Sequence, residues 1–176
     1  MGLAPNTTSA PPGQDAANLT AVTVFASNVC QCIYLGRFDK PLASIIIRVR
    51  TTTAYIAGAW AEFYIYQGTP GVLGGVPASL KRLGGQSVAG TFNAAPAIID
   101  TTVALSGMSP EAELWLVLGS NTGTQFQCRG VLADDLQSGR FVTFTGRPST
   151  TDPITTAVIG GAAAVPIWIA VGVVIV

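Results

Sequence analysis

The sequence predicts an all-β fold, an antiparallel β-sandwich or jelly roll of roughly eight to ten strands. Short apolar runs follow one another along the chain, separated by Gly, Pro, Asn and Asp. No window of about a dozen residues shows the apolar stripe of an amphipathic helix. The chain has 176 residues, a length that suits one domain with a substantial core.

Each predicted strand is a short run rich in β-branched or aromatic residues, bounded by turn residues. In chain order these runs are 20–26, 30–35, 42–52, 57–67, 97–105, 113–119, 124–131, 140–145, 154–159 and 167–175. A single helical turn is predicted at 132–137.

Two of these runs alternate in a way that assigns their faces. In the third run, Ile45, Ile47 and Val49 lie on one face, and Arg48 and Arg50 on the other. This is the pattern of a strand with one face against a core and one in water.

The fourth run carries an aromatic strip on one face, formed by Trp60, Tyr64 and Tyr66. Such rings could stack on sugars, form a second inner layer of the sandwich, or lie in a subunit interface, where Tyr and Trp are enriched. The sequence favours core or interface.

The stretch 68–96 is predicted to be mostly loop, with one short strand around 79–83, because glycines and prolines interrupt it repeatedly. Long ordered loops in compact domains are often functional, so this stretch is a candidate contact surface. Its candidate contact residues are Gly74, Gly75, Lys81 and Arg82. The glycines here are expected to supply loop flexibility, because no P-loop pattern accompanies them.

The chain is predicted to divide into a flexible N-terminal arm, 1–18, and one β-sandwich domain, 19–176. The arm has little to bury and contains Pro5, Pro11 and Pro12, which are further candidate contact residues. No secretory signal pattern opens the sequence.

The twenty residues 157–176 carry no charge, which is the length of a transmembrane helix. Gly160, Gly161 and Pro166 interrupt the stretch, and no Lys or Arg flanks it as an interfacial anchor. The sequence favours a hairpin of 154–159 with 167–175, with a membrane anchor as the alternative.

Charged residues are sparse, at 10% of the chain against about 25% in ordinary soluble domains. This composition indicates a surface covered by partners, or contact with a membrane. Nine basic residues balance nine acidic ones, and the longest basic groupings are Lys81-Arg82 and Arg48/Arg50. We therefore expect no nucleic-acid partner, because such binding needs a basic stripe.

The chain contains no histidine, which removes the commonest general base and metal ligand. Cys30, Cys32 and Cys128 lack zinc-ligand spacing and are expected to be core thiols, with a bridge from Cys30 or Cys32 to Cys128 as the alternative. We expect no catalysis, no cofactor and no metal site.

Two pairs of carboxylates are candidates for acid–base pairs of the kind that glycosidases use. They are Glu111 with Glu113, at a strand entrance, and Asp134 with Asp135, in a predicted turn. Their positions indicate solvated turn residues.

The chain combines a Pro/Thr/Ala-rich N-terminal arm, about ten predicted strands, no histidine, few charges and a hydrophobic C-terminal strand. In this combination it resembles small bacteriophage virion proteins, in particular the jelly-roll cement (decoration) proteins that sit on capsids as trimers. The local likeness is Ser106-Gly107-Met108 leading into the strand 113–118, similar to a turn and aromatic strand in β-sandwich domains of phage tail and fibre proteins. The resemblance implies a structural virion protein on the capsid surface, with the major capsid protein or other virion proteins as partners, and a homotrimer. The alternatives are a receptor- or glycan-binding tail domain and a membrane-anchored protein.

Overall fold

The computed structural model describes residues 22–24, 29–51, 60–68, 79–89, 98–120, 127–129, 141–145, 152–155, 159–160 and 169–176. These residues form antiparallel strands and no helix, which confirms the predicted all-β class. The arrangement is that of a β-sandwich, and jelly-roll connectivity stays a prediction. The arm 1–18 and the helical turn at 132–137 lie outside the described residues.

The described strands, in chain order, are β1 (Val22–Val24), β2 (Val29–Phe38), β3 (Leu42–Arg50), β4 (Trp60–Gly68), β5 (Ser79–Ala89), β6 (Ile98–Ala104), β7 (Ala112–Ser120), β8 (Gln127–Arg129), β9 (Phe141–Thr145), β10 (Ile154–Thr155), β11 (Ile159–Gly160) and β12 (Ile169–Ile175). Every predicted run overlaps at least one of them. The described residues form twelve strands where the sequence predicts eight to ten, because 79–89 add β5 and the run 154–159 contributes to both β10 and β11.

The strands form a large sheet and a small sheet, with β1 and β8 as a separate pair. The large sheet has the order β10-β5-β4-β7-β2-β9-β11, and the small sheet has the order β12-β3-β6. Every described pairing is antiparallel.

An apolar core lies between the two sheets, and we call it the inner cluster. It takes Ile33 and Phe63 from the large sheet, Ile45 and Ile47 from the small sheet, and Cys128 from β8. Burial of this kind is the main term that stabilises a sandwich, at about 25 cal/mol per Å² of apolar area removed from water.

A second buried group, the outer cluster, lies on the face of the large sheet that points away from the small sheet. Its members are Cys30, Cys32, Tyr66, Leu80, Trp115 and Val117. On β7, Leu114 and Leu116 belong to the inner cluster, whereas Trp115 and Val117 belong to the outer one. The centre of the large sheet is therefore buried on both faces.

The predicted short strand around 79–83 is confirmed, but it continues to Ala89 as the eleven-residue strand β5, so the expectation of loop is wrong for 84–89. Gly84 and Gly85 lie inside this strand, where they permit close approach on opposite faces instead of supplying loop flexibility. A side chain at Gly84 would collide with the carbonyl of Ala104 on β6, and one at Gly85 with the ring of Tyr64 on β4. Residues 69–78 and 90–97 lie outside the described part.

The predicted hairpin at the C-terminal end is also wrong in its pairing. Ile169–Ile175 is a strand, as predicted, but it pairs with β3, from Ile169 opposite Val49 to Ile175 opposite Leu42. The run 154–159 contributes to two short strands, β10 and β11, at opposite edges of the large sheet. In the part of the chain that the structure describes, no helix is long and apolar enough to span a membrane.

Candidate interaction surface

The connection from β6 to β7, residues 105–111, is an exposed loop held in place by its backbone at its first residues. The N–H of Leu105 donates to the carbonyl of Ala43 at 3.0 Å, and the N–H of Ser106 donates to the carbonyl of Leu83 at 3.1 Å. The Ser106 hydroxyl donates to the same Leu83 oxygen at 3.3 Å. The start of the loop is thereby fixed to both sheets, since Ala43 belongs to the small sheet and Leu83 to the large one.

Side chains hold the middle of the loop. The amide of Gln67, near the end of β4, donates from Nε2 to the Ser109 hydroxyl at 3.0 Å and accepts from the Ser109 N–H at 2.9 Å. The thioether of Met108 lies 3.4 Å from the N–H of Leu42 and packs against the inner cluster. Ser109 itself stays exposed.

The end of the loop is held by an ion pair between Arg37 on β2 and Glu111. Glu111 has a φ of 58° and Gly107 a φ of 69°, both in the left-handed region that favours glycine. Glu111 keeps this conformation while its carboxylate contacts Arg37. Both side chains are about half exposed, so the pair fixes geometry more than it adds stability.

The turn between β2 and β3 lies beside this loop. Asp39, Lys40 and Pro41 are exposed, and the Val176 N–H donates to the Pro41 carbonyl at 3.5 Å. We call residues 39–41 and 105–111 together the tethered end. It is an exposed surface with a fixed backbone, which is what a contact site needs.

The sequence predicts 105–111 only as a connector between two strands, and not as a candidate contact site. Ser106-Gly107-Met108-Ser109-Pro110 does resemble a turn, and that signal was visible. What fixes the loop is Gln67, Arg37 and Leu83, which are distant in sequence and come near only through strand pairing.

The predicted aromatic strip is divided by burial. Tyr66 is fully buried in the outer cluster, and this burial raises the pKa of its hydroxyl. Tyr64 is half-buried, with the Arg82 guanidinium 5.6 Å from its ring centre. Trp60 lies on β4, and its side chain is outside the described part of the structure. At most two of the three rings can reach the surface, which weakens the sugar-stacking interpretation.

The other predicted contact residues are dispersed. Lys81 is exposed on β5, and the backbone N–H of its neighbour Arg82 donates to the Asp152 carboxylate at 2.9 Å. Arg82 is brought together with Tyr64 and Tyr66, because its guanidinium lies over the Tyr64 ring and its backbone is opposite Tyr66 in the pairing of β4 and β5. Five predicted contact residues lie outside the described part of the chain: Pro5, Pro11, Pro12, Gly74 and Gly75.

Several surface charges neutralise one another. Arg48 and Asp100 face each other on β3 and β6 and form a bidentate pair, with both N–O distances at 2.7 Å. This hydrogen bonding raises the pKa of Arg48 and lowers the pKa of Asp100. Arg82 lies 4.0 Å from Asp152 in a looser pair. These contacts reduce an already sparse surface charge.

The three cysteines are buried as reduced thiols, which confirms the prediction of core thiols. Cys30 and Cys32 belong to the outer cluster and Cys128 to the inner one, so the large sheet separates them and the alternative bridge is not formed. Burial raises the pKa of Cys32 and Cys128, which keeps their thiols protonated and poorly nucleophilic at neutral pH.

The carboxylates Glu111 and Glu113 have opposite surroundings. Glu111 is exposed, as predicted, but Glu113 is buried on β7, so its interpretation as a solvated turn residue is wrong. Asp134 and Asp135 lie outside the described residues. Within the described ranges, no group of three Cys, Asp or Glu side chains is placed to hold a metal ion.

No family model, no curated protein and no solved structure matches the chain.

Proposed function

We propose that this chain is a structural protein of a virus particle, which decorates the capsid shell and stabilises it through protein–protein contacts. The observation that carries the proposal is the tethered end. A loop that is already ordered loses less conformational entropy on binding than a mobile one, so it suits a binding surface.

The sparse and internally paired surface charge supports the same proposal. Arg37, Arg48 and Arg82 each lie within 4.0 Å of a carboxylate of the same chain. Such a surface carries little electrostatic repulsion toward a weakly charged partner, and it is poorly suited to a long life as a free monomer. The resemblance to cement proteins supplies the class of partner, a capsid shell.

In this role the chain works mechanically. Each copy would bury part of the tethered end against the shell and contribute a modest free energy of binding. Many copies on one particle then act together, since detachment of the shell subunits requires several contacts to break. The rigid core behind the loop transmits the load because a packed sandwich deforms little.

The test of the proposed role is the composition of virus particles. Particles purified from cells that carry the genome encoding this chain should contain it in many copies, at a fixed ratio to the major shell protein by quantitative mass spectrometry. Its absence from purified particles would contradict the proposal. A stable stoichiometry after repeated gradient purification distinguishes a component from a contaminant.

Binding of a Gln67 variant to undecorated particles tests whether the tethered end is the contact surface. Gln67→Ala removes both side-chain hydrogen bonds to Ser109, at a cost of about 1 kcal/mol in stability, and should weaken binding to undecorated particles about tenfold. Arg48→Ala is the matched control, because it removes another pair of side-chain hydrogen bonds, on the small sheet. Equal binding by both variants would show that the tethered end is not the contact.

A further inference from the structure

Arg50, the last residue of β3, differs from the other arginines whose side chains the structure describes. Arg37, Arg48 and Arg82 each contact a carboxylate of the same chain. No ion pair or hydrogen bond joins the Arg50 side chain to a described residue, and its Nε atom is buried without an acceptor. A buried donor in this state is rare in folded proteins and requires an explanation.

The acid nearest to Arg50 in the register of the small sheet is already engaged. Arg50 lies opposite Ile98 on β6, and its diagonal neighbour Asp100 lies opposite Arg48. Both carboxylate oxygens of Asp100 accept hydrogen bonds from Arg48, each at 2.7 Å. Among the described residues, Arg50 therefore adds one uncompensated positive charge to the outer face of the small sheet.

The Arg50 guanidinium is placed to bind a group outside the chain. The side chain is half-buried, and of its three nitrogens only Nε is buried without an acceptor, so the two terminal nitrogens remain open to solvent. A guanidinium held in this way can donate two parallel hydrogen bonds to a carboxylate. Because the buried Nε–H reduces stability in the isolated chain, Arg50 is better explained by an external contact than by the fold.

We propose that Arg50 binds the carboxylate of an Asp or Glu side chain on a partner protein, and that Ile98 packs against an apolar residue next to that acid. Ile98 is a large hydrophobic residue that is 56% exposed, and it lies directly across the sheet from Arg50. An arginine beside an exposed apolar side chain is a common centre of protein–protein interfaces.

The local charge favours a carboxylate over a phosphate group. A carboxylate carries one negative charge, which the single charge of Arg50 balances. A phosphate group carries nearly two, and the carboxylate of Asp100 nearby would repel the second. A nucleic acid needs several basic residues in a row, but the charge of Arg48 is already neutralised by Asp100. The exposed strand face of β6 also differs from the concave pockets that hold small molecules.

This site is separate from the tethered end and does not depend on the proposed role in a virus particle. The tethered end includes the turn just before Leu42, where β3 begins, whereas Arg50 ends the same nine-residue strand. The two positions are about 27 Å apart along β3. A failure at Arg50 would therefore leave the proposal for the tethered end untouched, and the reverse also holds.

Thermal unfolding of two methionine variants tests whether Arg50 has a partner within the folded chain. Arg50→Met removes the buried donor and keeps an apolar stem, so the midpoint should rise or stay within about 1 °C. Arg48→Met is the matched change on the same face, and it should lower the midpoint because it breaks the pair with Asp100. A fall at Arg50→Met as large as that at Arg48→Met would overturn the proposal.

A titration followed by nuclear magnetic resonance tests the ligand. The probe is the blocked dipeptide N-acetyl-leucyl-glutamate amide, which carries one carboxylate beside an apolar side chain. It should shift the Nε–H signal of Arg50 at least about fivefold more than the glutamine analogue at equal concentration. Equal shifts with the two peptides, or a larger shift with inorganic phosphate, would contradict the assignment.

The backbone amide of Ile98 provides the readout for variants in the same titration. Arg50→Met should abolish its response to the glutamate peptide. Lys40→Met removes one exposed positive charge at the tethered end and should leave that response unchanged. If both variants reduce the response equally, the peptide follows the net charge of the protein, and the site at Arg50 is wrong.

Discussion

The strands β6 and β7 are consecutive in the chain, yet their surroundings differ completely. Along β6, exposed and buried residues alternate without exception from Ile98 to Ala104. Along β7, every residue from Ala112 to Gly119 is buried. The loop that joins them, residues 105–111, is the tethered end's main component. One strand therefore belongs to the boundary of the molecule and the next to its centre.

The difference comes from the position of each strand in its sheet. β6 lies at an edge of the small sheet, with one face on the inner cluster, and this produces the alternation of a half-buried antiparallel strand. β7 lies between β4 and β2 and has a cluster on each face. A strand buried on both faces needs apolar residues along its centre, which the sequence Leu114–Leu118 supplies.

This arrangement also explains why the loop before β7 is held so firmly. Gln67 lies on β4 and Arg37 on β2, the two strands that flank β7. Each contacts the loop just before it enters the sheet, at Ser109 and Glu111 respectively. The doubly buried strand thus fixes one end of the loop, and its neighbours fix the side chains that hold the rest.

Truncating Trp115 tests whether the outer cluster stabilises the protein as the inner one does. The Trp115 ring is buried and lies 5.3 Å from the ring of Tyr34. Trp115→Ala should lower the free energy of unfolding by about 4 kcal/mol, measured by chemical denaturation, because it removes buried apolar area and leaves a cavity.

The control for this change is Phe63→Ala, in the inner cluster on β4. Both substitutions delete a buried ring from the large sheet, on opposite faces. Similar losses would establish two equivalent cores. A loss of less than about 1.5 kcal/mol for Trp115 alone would show that the outer face is only loosely covered.

The glycines of β5 allow a second test of the two faces. Gly84→Ala should cost about 3 kcal/mol, since its methyl group meets the fixed carbonyl of Ala104 between the sheets. Gly85→Ala should cost about 1.5 kcal/mol, because the Tyr64 ring that it meets is half-buried and can shift. Thermal and chemical unfolding measure both.

A double variant identifies the cause of the smaller effect. If the ring of Tyr64 is what Gly85→Ala strikes, adding Tyr64→Ala should remove most of its cost. The same addition should leave the cost of Gly84→Ala unchanged, because that collision is with the backbone of Ala104. An unchanged penalty at Gly85 would argue against contact with the ring.

Much of the small sheet could be predicted from the sequence alone. Alternation along 42–52 placed Ile45, Ile47 and Val49 on the core face and Arg48 on the other, and the structure has them there. Alternation is informative where one face is wet. It says nothing about which strands become neighbours, so the pairing of β12 with β3 was not predicted.

The parts that could not be predicted depend on long-range contacts. In the sequence, Gly84 and Gly85 resemble loop residues. Glycine is needed there because the Ala104 carbonyl and the Tyr64 ring lie against the two positions, and only the folded sheets bring these groups close. Glu113 appears solvated because a carboxylate at a strand entrance usually is, but the double burial of β7 encloses it. The tethered end likewise depends on Gln67 and Arg37, which no local pattern connects to residues 105–111.

Thr101 is a polar residue at a buried position of β6, so its replacement by an apolar residue should stabilise the protein. It faces the inner cluster opposite Ile47, and its buried hydroxyl has no hydrogen-bond partner among the described residues. Thr101→Val keeps the shape and removes the unsatisfied group, so it should raise the free energy of unfolding by about 1 kcal/mol. Thr102→Val, on the exposed face of the same strand, should change it by less than about 0.5 kcal/mol. If Thr101→Val instead lowers the free energy of unfolding, the Thr101 hydroxyl has a hydrogen-bond partner in the folded protein. The inner face of the small sheet would then include a polar contact as well as apolar packing.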